Sequence, residues 1–363
     1  MGKIRILVID DSIIVRKTLG SLLGKEPDFE VVGTARNGVE GLKMFGELKP
    51  DIIILDIVMP VMDGLEALSN IRKSDKVTPV IMFSSLTENG AAITLDALAR
   101  GANDYVAKPS RSMSPLTDTT GSIKGQLVPK IRVLAAASRA RLPGAKSSEK
   151  AQWEFKPPIV PDLNIPERRN ARPEVVAIGV STGGPEALHK VLTAIPGSFP
   201  VPILVVQHMP ALFTRALSER LDRFCALKVR EAVDGELLEP GTIYFGPGDF
   251  HMSVKKDGLD VRILVTREPP INSCRPSVDA LFHSLAPVFG RRTMALVLTG
   301  MGKDGLSGCV ALRKTGATIL AQDRESSVIW GMPGHVAEAN LANKVVPLER
   351  MAFEIVRAVV GAS

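Results

Sequence analysis

Short apolar runs that each stop at a polar side chain, separated by helix-length stretches, dominate this sequence. Lys3–Ile9 stops at Asp10-Asp11-Ser12, Asp51–Leu55 at Asp56, Pro79–Phe83 at Ser84 and Asp104–Ala107 at Lys108. Farther on, Val175–Val180 stops at Ser181 and Pro202–Gln207 at His208. Ala295–Leu298 runs through Thr-Gly-Met-Gly-Lys into Asp304. Runs of this kind, alternating with stretches of helical periodicity, are βα units, and a series of them builds parallel sheets with helices on both faces. In such sheets ligands gather outside the carboxyl ends of the strands. The residues that end the runs are therefore the functional candidates. The fold class expected is α/β, with two doubly wound parallel-sheet domains.

A chain of 363 residues is long enough for two domains with a core each. The expected boundaries are a first domain over 1–122 with a last helix running as far as 140, a linker over 141–172, and a second domain over 173–363. Between Arg139 and Arg172 eight Lys and Arg face four Asp and Glu, and the tract accounts for much of the net charge of +6. A basic tract can bind nucleic acid, but this one is interleaved with Pro, Ser and Gly instead of lying along a helix face. It reads as a solvated linker, with no nucleic-acid partner expected. Trp153 and Phe155 are its large aromatics, placed either to dock on a domain or incidentally. No apolar run approaches a membrane span, and the chain enters a strand without a leader-like layout, so no membrane insertion is expected. Cys225, Cys274 and Cys309 are odd in number and widely spaced. They form neither a zinc pattern nor a disulfide framework, which points to the cytoplasm.

In the first domain, Asp10, Asp11 and Asp56 end strands one and three, which are neighbours in a sheet ordered 2-1-3-4-5. Three crowded carboxylates repel one another and need a hard cation such as Mg²⁺ to coexist as anions. Lys108 and Ser84 add an ammonium and a hydroxyl. The set suits phosphoryl transfer onto an aspartate. Strand-end acids also serve as helix caps, a reading that fits Asp11 or Ser12 alone better than the whole set. A last helix is expected over 123–139, kinked at Pro129.

In the second domain, Gly179-Val-Ser-Thr-Gly183 matches the loose Gly-x-Ser-x-Gly elbow, in which a strand-to-helix turn exposes a serine hydroxyl. A glycine-rich turn at a helix N-terminus also cradles phosphate, and Ser181 or Thr182 could simply cap the helix. The missing P-loop lysine weakens the phosphate reading. Strand order favours His208 as the base, with His335 the rival because Ser, acid, His is the order of α/β hydrolases. His189 lies a turn or more into the helix after Ser181 and points away, His251 opens a strand, and His283 reads as structural. Asp304, Asp279 and Asp323 are the candidate acids, and Met301 N–H is the candidate oxyanion donor.

Two resemblances sharpen this reading. Asp10-Asp11, Asp56-x-x-Met59-Pro60, Met62-Asp63-Gly64, Ser84 and Lys108-Pro109 resemble the response-regulator receiver family. The resemblance implies a flavodoxin-like domain with Asp56 as phosphoacceptor. It implies Asp11, Asp56 and the Val58 carbonyl as Mg²⁺ ligands, with Asp10 nearby. It also implies Lys108 against the phosphoryl group, a cis Lys108–Pro109 bond and Tyr105 as the aromatic switch. Ser181-Thr-Gly-Gly-Pro-Glu-Ala-Leu188, Gln207-His-Met-Pro210, Asp234-Gly-Glu236, Arg275-Pro-Ser-Val-Asp279, Leu298-Thr-Gly-Met-Gly-x-Asp-Gly305 and Trp330-Gly-Met-Pro-Gly334 resemble the chemotaxis protein-glutamate methylesterase (CheB) family. That resemblance implies a Rossmann-like hydrolase domain with a β-hairpin-rich insertion. Ser181 would be the nucleophile, His208 the base, Asp304 its orienting acid and Met301 an oxyanion donor, with no cofactor for the esterase. It implies glutamate methyl esters and glutamines of chemoreceptors as substrates and a chemotaxis histidine kinase as phosphodonor. A receiver tied to a hydrolase leads to the expectation that the unphosphorylated receiver covers the Ser181 cleft. The competing class is a response regulator whose output domain binds a partner without hydrolysis.

Overall fold

The computed structural model describes residues 2–108, 116–141 and 171–361, and divides the chain into two compact units, Met1–Trp153 and Glu154–Ser363. The expected cis bond at Lys108–Pro109 and the linker aromatics Trp153 and Phe155 lie outside the described residues.

In the first unit the strands β1 (Ile4–Ile9), β2 (Phe29–Ala35), β3 (Ile52–Asp56), β4 (Val80–Ser85) and β5 (Asp104–Lys108) form one sheet in the order β2-β1-β3-β4-β5. Every pairing is parallel. The helices α1 (Ile13–Leu23), α2 (Gly38–Leu48), α3 (Gly64–Ser74) and α4 (Glu88–Ala99) alternate with the strands. Each of these four starts at a side-chain cap, Ser12, Asn37, Asp63 and Thr87, which accepts from a first-turn N–H. The central strand β3 is buried along its whole length, as a strand covered on both faces must be.

The last helix, α5 (Leu116–Arg141), is longer than expected and continues through Pro129. Proline removes one intrahelical bond, but tertiary anchors flank it on both sides. Ile123, Leu127, Ile131 and Leu134 are buried. Lys130 pairs with Asp104 at 2.8 Å, Arg132 with Glu26 and Asp28 at 2.7 and 2.8 Å, and Arg139 with Asp51 at 2.7 Å.

The second unit is built on β6 (Val175–Val180), α6 (Gly184–Leu192), β7 (Ile203–Gln207) and α7 (Ala211–Asp222). Then come β8 (Lys228–Glu231), β9 (Thr242–Phe245), β10 (His251–Asp257), β11 (Asp260–Thr266) and α8 (Val278–Val288). It closes with β12 (Thr293–Val297), α9 (Leu306–Thr315), β13 (Thr318–Gln322), α10 (Met332–Glu338), β14 (Lys344–Val346) and α11 (Leu348–Val360). The main sheet runs β14-β13-β12-β6-β7-β9-β8, again with every pairing parallel. Of the β-rich insertion, only β10 and β11 form an antiparallel hairpin, whereas β8 and β9 extend the sheet. From β6 the chain steps to β7 on one side, and it later returns to β12 on the other. The switch point is therefore at β6, with Ser181 at its tip.

Candidate active site

The receiver-like cluster forms as the strand order demands. Ile9 pairs with Leu55 across β1 and β3, so Asp10 and Asp56 emerge side by side. One ligand oxygen from each of Asp10, Asp11 and Asp56 lies within 4.8 Å of the other two. Asp10 and Asp56 are buried and Asp11 is exposed. Lys108 Nζ sits 2.8 Å from Asp10 Oδ2 and 2.7 Å from Asp56 Oδ2. Burial works against the charge on Lys108, but the two carboxylates outweigh it and raise its pKa. Burial likewise raises Asp56, to about 6, with Asp10 adding to the shift and Lys108 opposing it. Three carboxylates against one ammonium leave a deficit of two positive charges, which is what one divalent cation carries. All donors are hard oxygens, so the residues present fit Mg²⁺. Gly64 keeps the loop after β3 tight, because a Cβ there would come within 2.1 Å of the Asp56 carbonyl oxygen.

Val58 follows Asp56 by two residues in the turn after β3. Ser84 is buried at the end of β4, one residue beyond the strand partner of Asp56, and its hydroxyl donates to Gly90 O at 3.3 Å. Tyr105 lies within β5 with its ring buried, and Lys130 Nζ stands 5.2 Å from the ring centre.

In the second unit the end of β6 is locked from both sides. Ser181 N–H donates to Thr299 O at 3.0 Å, and Ser181 O accepts from Gly184 N at 2.8 Å and Gln207 Nε2 at 2.9 Å. The cap of α6 is Gly183 in the left-handed region, and no side chain caps this helix. The Ser181 hydroxyl is thus not spent on capping. Gly300 lies against it: a Cβ there would meet Ser181 Cβ at 2.8 Å and Met332 Sδ at 2.5 Å.

His208 follows β7, and its N–H donates to Val180 O at 3.2 Å. Its Nε2 meets Asp304 Oδ2 at 2.8 Å, while Nδ1 faces Cys274 Sγ at 3.7 Å. No hydrogen bond joins the Ser181 hydroxyl to His208 among the described residues. Asp304 is buried and saturated. Oδ1 accepts from Ser277 Oγ at 2.7 Å, Asn272 Nδ2 at 3.1 Å and Asp279 N at 3.2 Å. Oδ2 accepts from Val278 N at 2.6 Å as well as from His208. Asp304 is therefore the anion at the N-terminus of α8. Burial alone would raise its pKa, but His208, Ser277 and the helix N–H groups hold it well below the usual carboxylate range. Burial also works against a charged His208, yet Asp304 and Cys274 outweigh it and raise the ring to about 9.

The loop after β12 is strapped down by Gly300, whose N–H donates to Ile329 O and whose carbonyl accepts from Gly331 N and Met332 N. The next N–H, that of Met301, has no hydrogen-bond partner among the described residues. The rival residues have other tasks. His335 Nδ1 donates to Gly331 O within its own helix start. Asp323 accepts from Ser326. Asp279 accepts from Gly308 N and Asn272 Nδ2. His189 packs edge-on against Phe224, and His283 bonds Ser307. His251 Nδ1 accepts from Ser277 N, supporting the residue that in turn donates to Asp304.

Sequence reasoning assigned no role to Asn272, Cys274 or Ser277. A cap signal was present in Pro276-Ser-Val-Asp279, just ahead of α8. Nothing in it says that the cap would serve an acid on another loop.

Comparison with known proteins bears on both units. The model of the response regulator receiver domain matches residues 6–118, and that of the CheB methylesterase matches residues 176–355. A protein-glutamate methylesterase/protein-glutamine glutaminase of Trichodesmium erythraeum is 44% identical over 98% of this chain and 99% of its own. The protein of the same name from Nocardioides is 44% identical over 98% of this chain and 96% of its own. The crystal structure of the Thermotoga maritima CheB methylesterase catalytic domain is 40% identical, covering 52% of this chain and 99% of its own, with a TM-score of 0.50.

Proposed function

The chain belongs to the CheB methylesterase family, with a receiver domain ahead of the catalytic domain, and on that premise we propose that it is a phosphorylation-activated protein-glutamate methylesterase and protein-glutamine glutaminase acting on chemoreceptors. The observation that carries this reading is the His208–Asp304 pair beside a strand-end serine whose hydroxyl caps nothing.

The geometry supports an acyl-transfer sequence. Asp304 accepts from Nε2–H and fixes the neutral ring with its lone pair on Nδ1. That nitrogen takes the Ser181 proton as Oγ attacks the ester carbonyl of a methylated glutamate side chain. The oxyanion that forms accepts from Met301 N–H, a donor held ready by the strapped Gly300; one such donor contributes roughly 10²–10³ in rate. The imidazolium is stabilised by anionic Asp304 and returns its proton to the departing methanol. Water then attacks the acyl-serine, again losing a proton to His208, and releases the glutamate carboxylate. With glutamine as substrate the leaving group is ammonia.

In the receiver unit Asp56 takes the phosphoryl group from a chemotaxis histidine kinase, and Lys108, Ser84 and Tyr105 respond to it. Asp11, Asp56 and the Val58 carbonyl would hold Mg²⁺, with Asp10 beside them. When bound, the cation neutralises charge at the phosphoryl oxygens. No described helix is long and apolar enough to cross a membrane, and the proposed location is the cytoplasm.

The test is methanol release from a methylated chemoreceptor, with and without a small-molecule phosphodonor. Release stimulated by the phosphodonor, and lost in a folded Ser181→Ala variant, is the expected result. Release that survives Ser181→Ala overturns the site. No release at all makes the second unit a partner-binding output domain.

A further inference from the structure

Cys274 stands in the loop before α8 with its sulfur aimed at His208. Its Sγ lies 3.7 Å from Nδ1, and Asp304 holds the opposite nitrogen of the same ring at 2.8 Å. One ligand atom from each of His208, Cys274 and Asp304 falls within 4.8 Å of the other two. None of these side chains is on the open surface: Asp304 is 2% exposed, and the His208 side chain 12%.

We propose that Cys274 and His208 form a binding site for a thiophilic divalent cation, Zn²⁺ foremost, and that its occupancy switches the hydrolase off. The separation of the two donors fits. Zn–N of about 2.05 Å and Zn–S of about 2.3 Å at a tetrahedral angle place N and S about 3.6 Å apart. The ring is already arranged as metal-binding histidines are. A carboxylate accepts from one ring N–H, which fixes the tautomer and leaves the other nitrogen as a bare ligand. Here Asp304 is that carboxylate and Nδ1 the free ligand. Asp304 itself stays in the outer position, because its oxygens are already engaged by five donors. Binding converts the Cys274 thiol to a thiolate and releases its proton to solvent, so it strengthens as pH rises. Water fills the remaining positions.

The receiver cluster cannot substitute for this site with a soft metal. Asp10, Asp11 and Asp56 offer oxygen alone, which favours Mg²⁺, whereas sulfur and imidazole favour Zn²⁺ and Co²⁺. Binding at Cys274 does not depend on the function proposed above. Its effect on hydrolysis does, since it rests on Nδ1 of His208 being the base: a metal there takes the lone pair that Ser181 needs.

The experiment uses the full chain, stripped with a chelator and supplied with excess Mg²⁺ to fill the oxygen site. Co²⁺ is then titrated while the near-ultraviolet thiolate-to-cobalt charge-transfer band is followed. The band is expected to saturate at one equivalent, to persist in Cys225→Ser and Ser181→Ala, and to vanish in Cys274→Ser. A wild-type chain without the band, or a band that survives Cys274→Ser, overturns the site. In parallel, Zn²⁺ is added to wild-type chain hydrolysing an activated ester. A loss of more than about tenfold at one equivalent, reversed by chelator, supports the switch. An unchanged rate with the cobalt band present overturns the switch while the site stands. A stripped wild-type chain that never hydrolyses the ester speaks against the proposed function and leaves the band to judge the site.

Discussion

Asp304→Asn separates the charge of the proposed catalytic site from its shape. The carboxylate accepts five hydrogen bonds, three on Oδ1 and two on Oδ2. An amide of the same shape has one accepting oxygen and one donating nitrogen. If the oxygen keeps the shorter pair, His208 Nε2 at 2.8 Å and Val278 N at 2.6 Å, the new NH₂ faces Ser277, Asn272 and Asp279 N–H. Ser277 can rotate to accept and exposed Asn272 can turn, but Asp279 N–H is stranded. A stranded buried N–H costs about 1–3 kcal/mol, and the remaining bonds lose their charge assistance. The sum is about 3 kcal/mol, or a fall of about 6–12 °C in Tm for a unit of this size. Catalytically, this orientation keeps the tautomer and loses only the anion that stabilises the imidazolium, roughly 10²-fold in kcat. The reverse orientation would also flip the tautomer, at about 10⁴-fold. It gives up the shorter bonds, so the smaller loss is expected. Without the anion, the pKa of His208 falls from about 9, and the residual activity reaches its plateau at lower pH. Initial rates of methanol release across pH, with a thermal melt of the same sample, measure all three. A rate within about threefold of wild type, with the inflection unmoved, would refute the coupling of Asp304 to the base.

Other outcomes follow from the same geometry. The wild-type, metal-stripped chain should gain activity as pH rises through about 9, because only the neutral ring takes the serine proton; a flat profile there would deny His208 that task. Gly300→Ala forces a Cβ to within 2.8 Å of Ser181 Cβ and should cut kcat while the fold persists in circular dichroism. A displacement near 1 Å costs roughly 10²-fold, and undiminished kcat would show that the serine has room to move. Asp56→Ala should abolish stimulation by a phosphodonor, and persisting stimulation would place the phosphoryl group elsewhere. Chelating Mg²⁺ should likewise remove stimulation and leave unstimulated hydrolysis at least as fast, whereas a slowed basal rate would point to a metal in the esterase chemistry itself.

Most of the architecture was legible because each strand ends on a residue that solvent or a ligand must meet. Runs such as Ile52–Leu55 and Val175–Val180 admit little but buried parallel strands, and their terminal Asp56 and Ser181 follow. The structure adds that α6 has no side-chain cap, which the sequence left open for Ser181 and Thr182. What could not be read lies in irregular loops. Cys274 and Asn272 precede α8 by four and six residues, in a stretch with no period, and they meet His208 and Asp304 only through tertiary folding. The passage of α5 through Pro129 was expected with a kink, but what holds it there was not legible: the ion pairs that follow the proline come from Glu26, Asp28, Asp51 and Asp104, far away in sequence. The parallel addition of β8 and β9 to the main sheet was equally hidden, since closely spaced strands with turn residues between them ordinarily suggest hairpins.

The two units place an aspartate at the same kind of position and treat its charge in opposite ways. Asp304 is given every donor it can use: a serine, an asparagine, two helix N–H groups and an imidazole. A carboxylate so satisfied, with the His208 ring beside it, has a low pKa and is suited to orient and stabilise. Asp56 is given one lysine, which it shares with Asp10, and one backbone N–H. Its pKa rises to about 6, and one of its oxygens faces a cluster short of positive charge. That deficit suits a nucleophile: a carboxylate saturated with donors is a poor attacker, whereas one kept hungry can take up a cation and then a phosphoryl group. On the proposed reading, the difference between an orienting and a reactive aspartate thus reduces to how many hydrogen-bond donors the neighbouring loops supply.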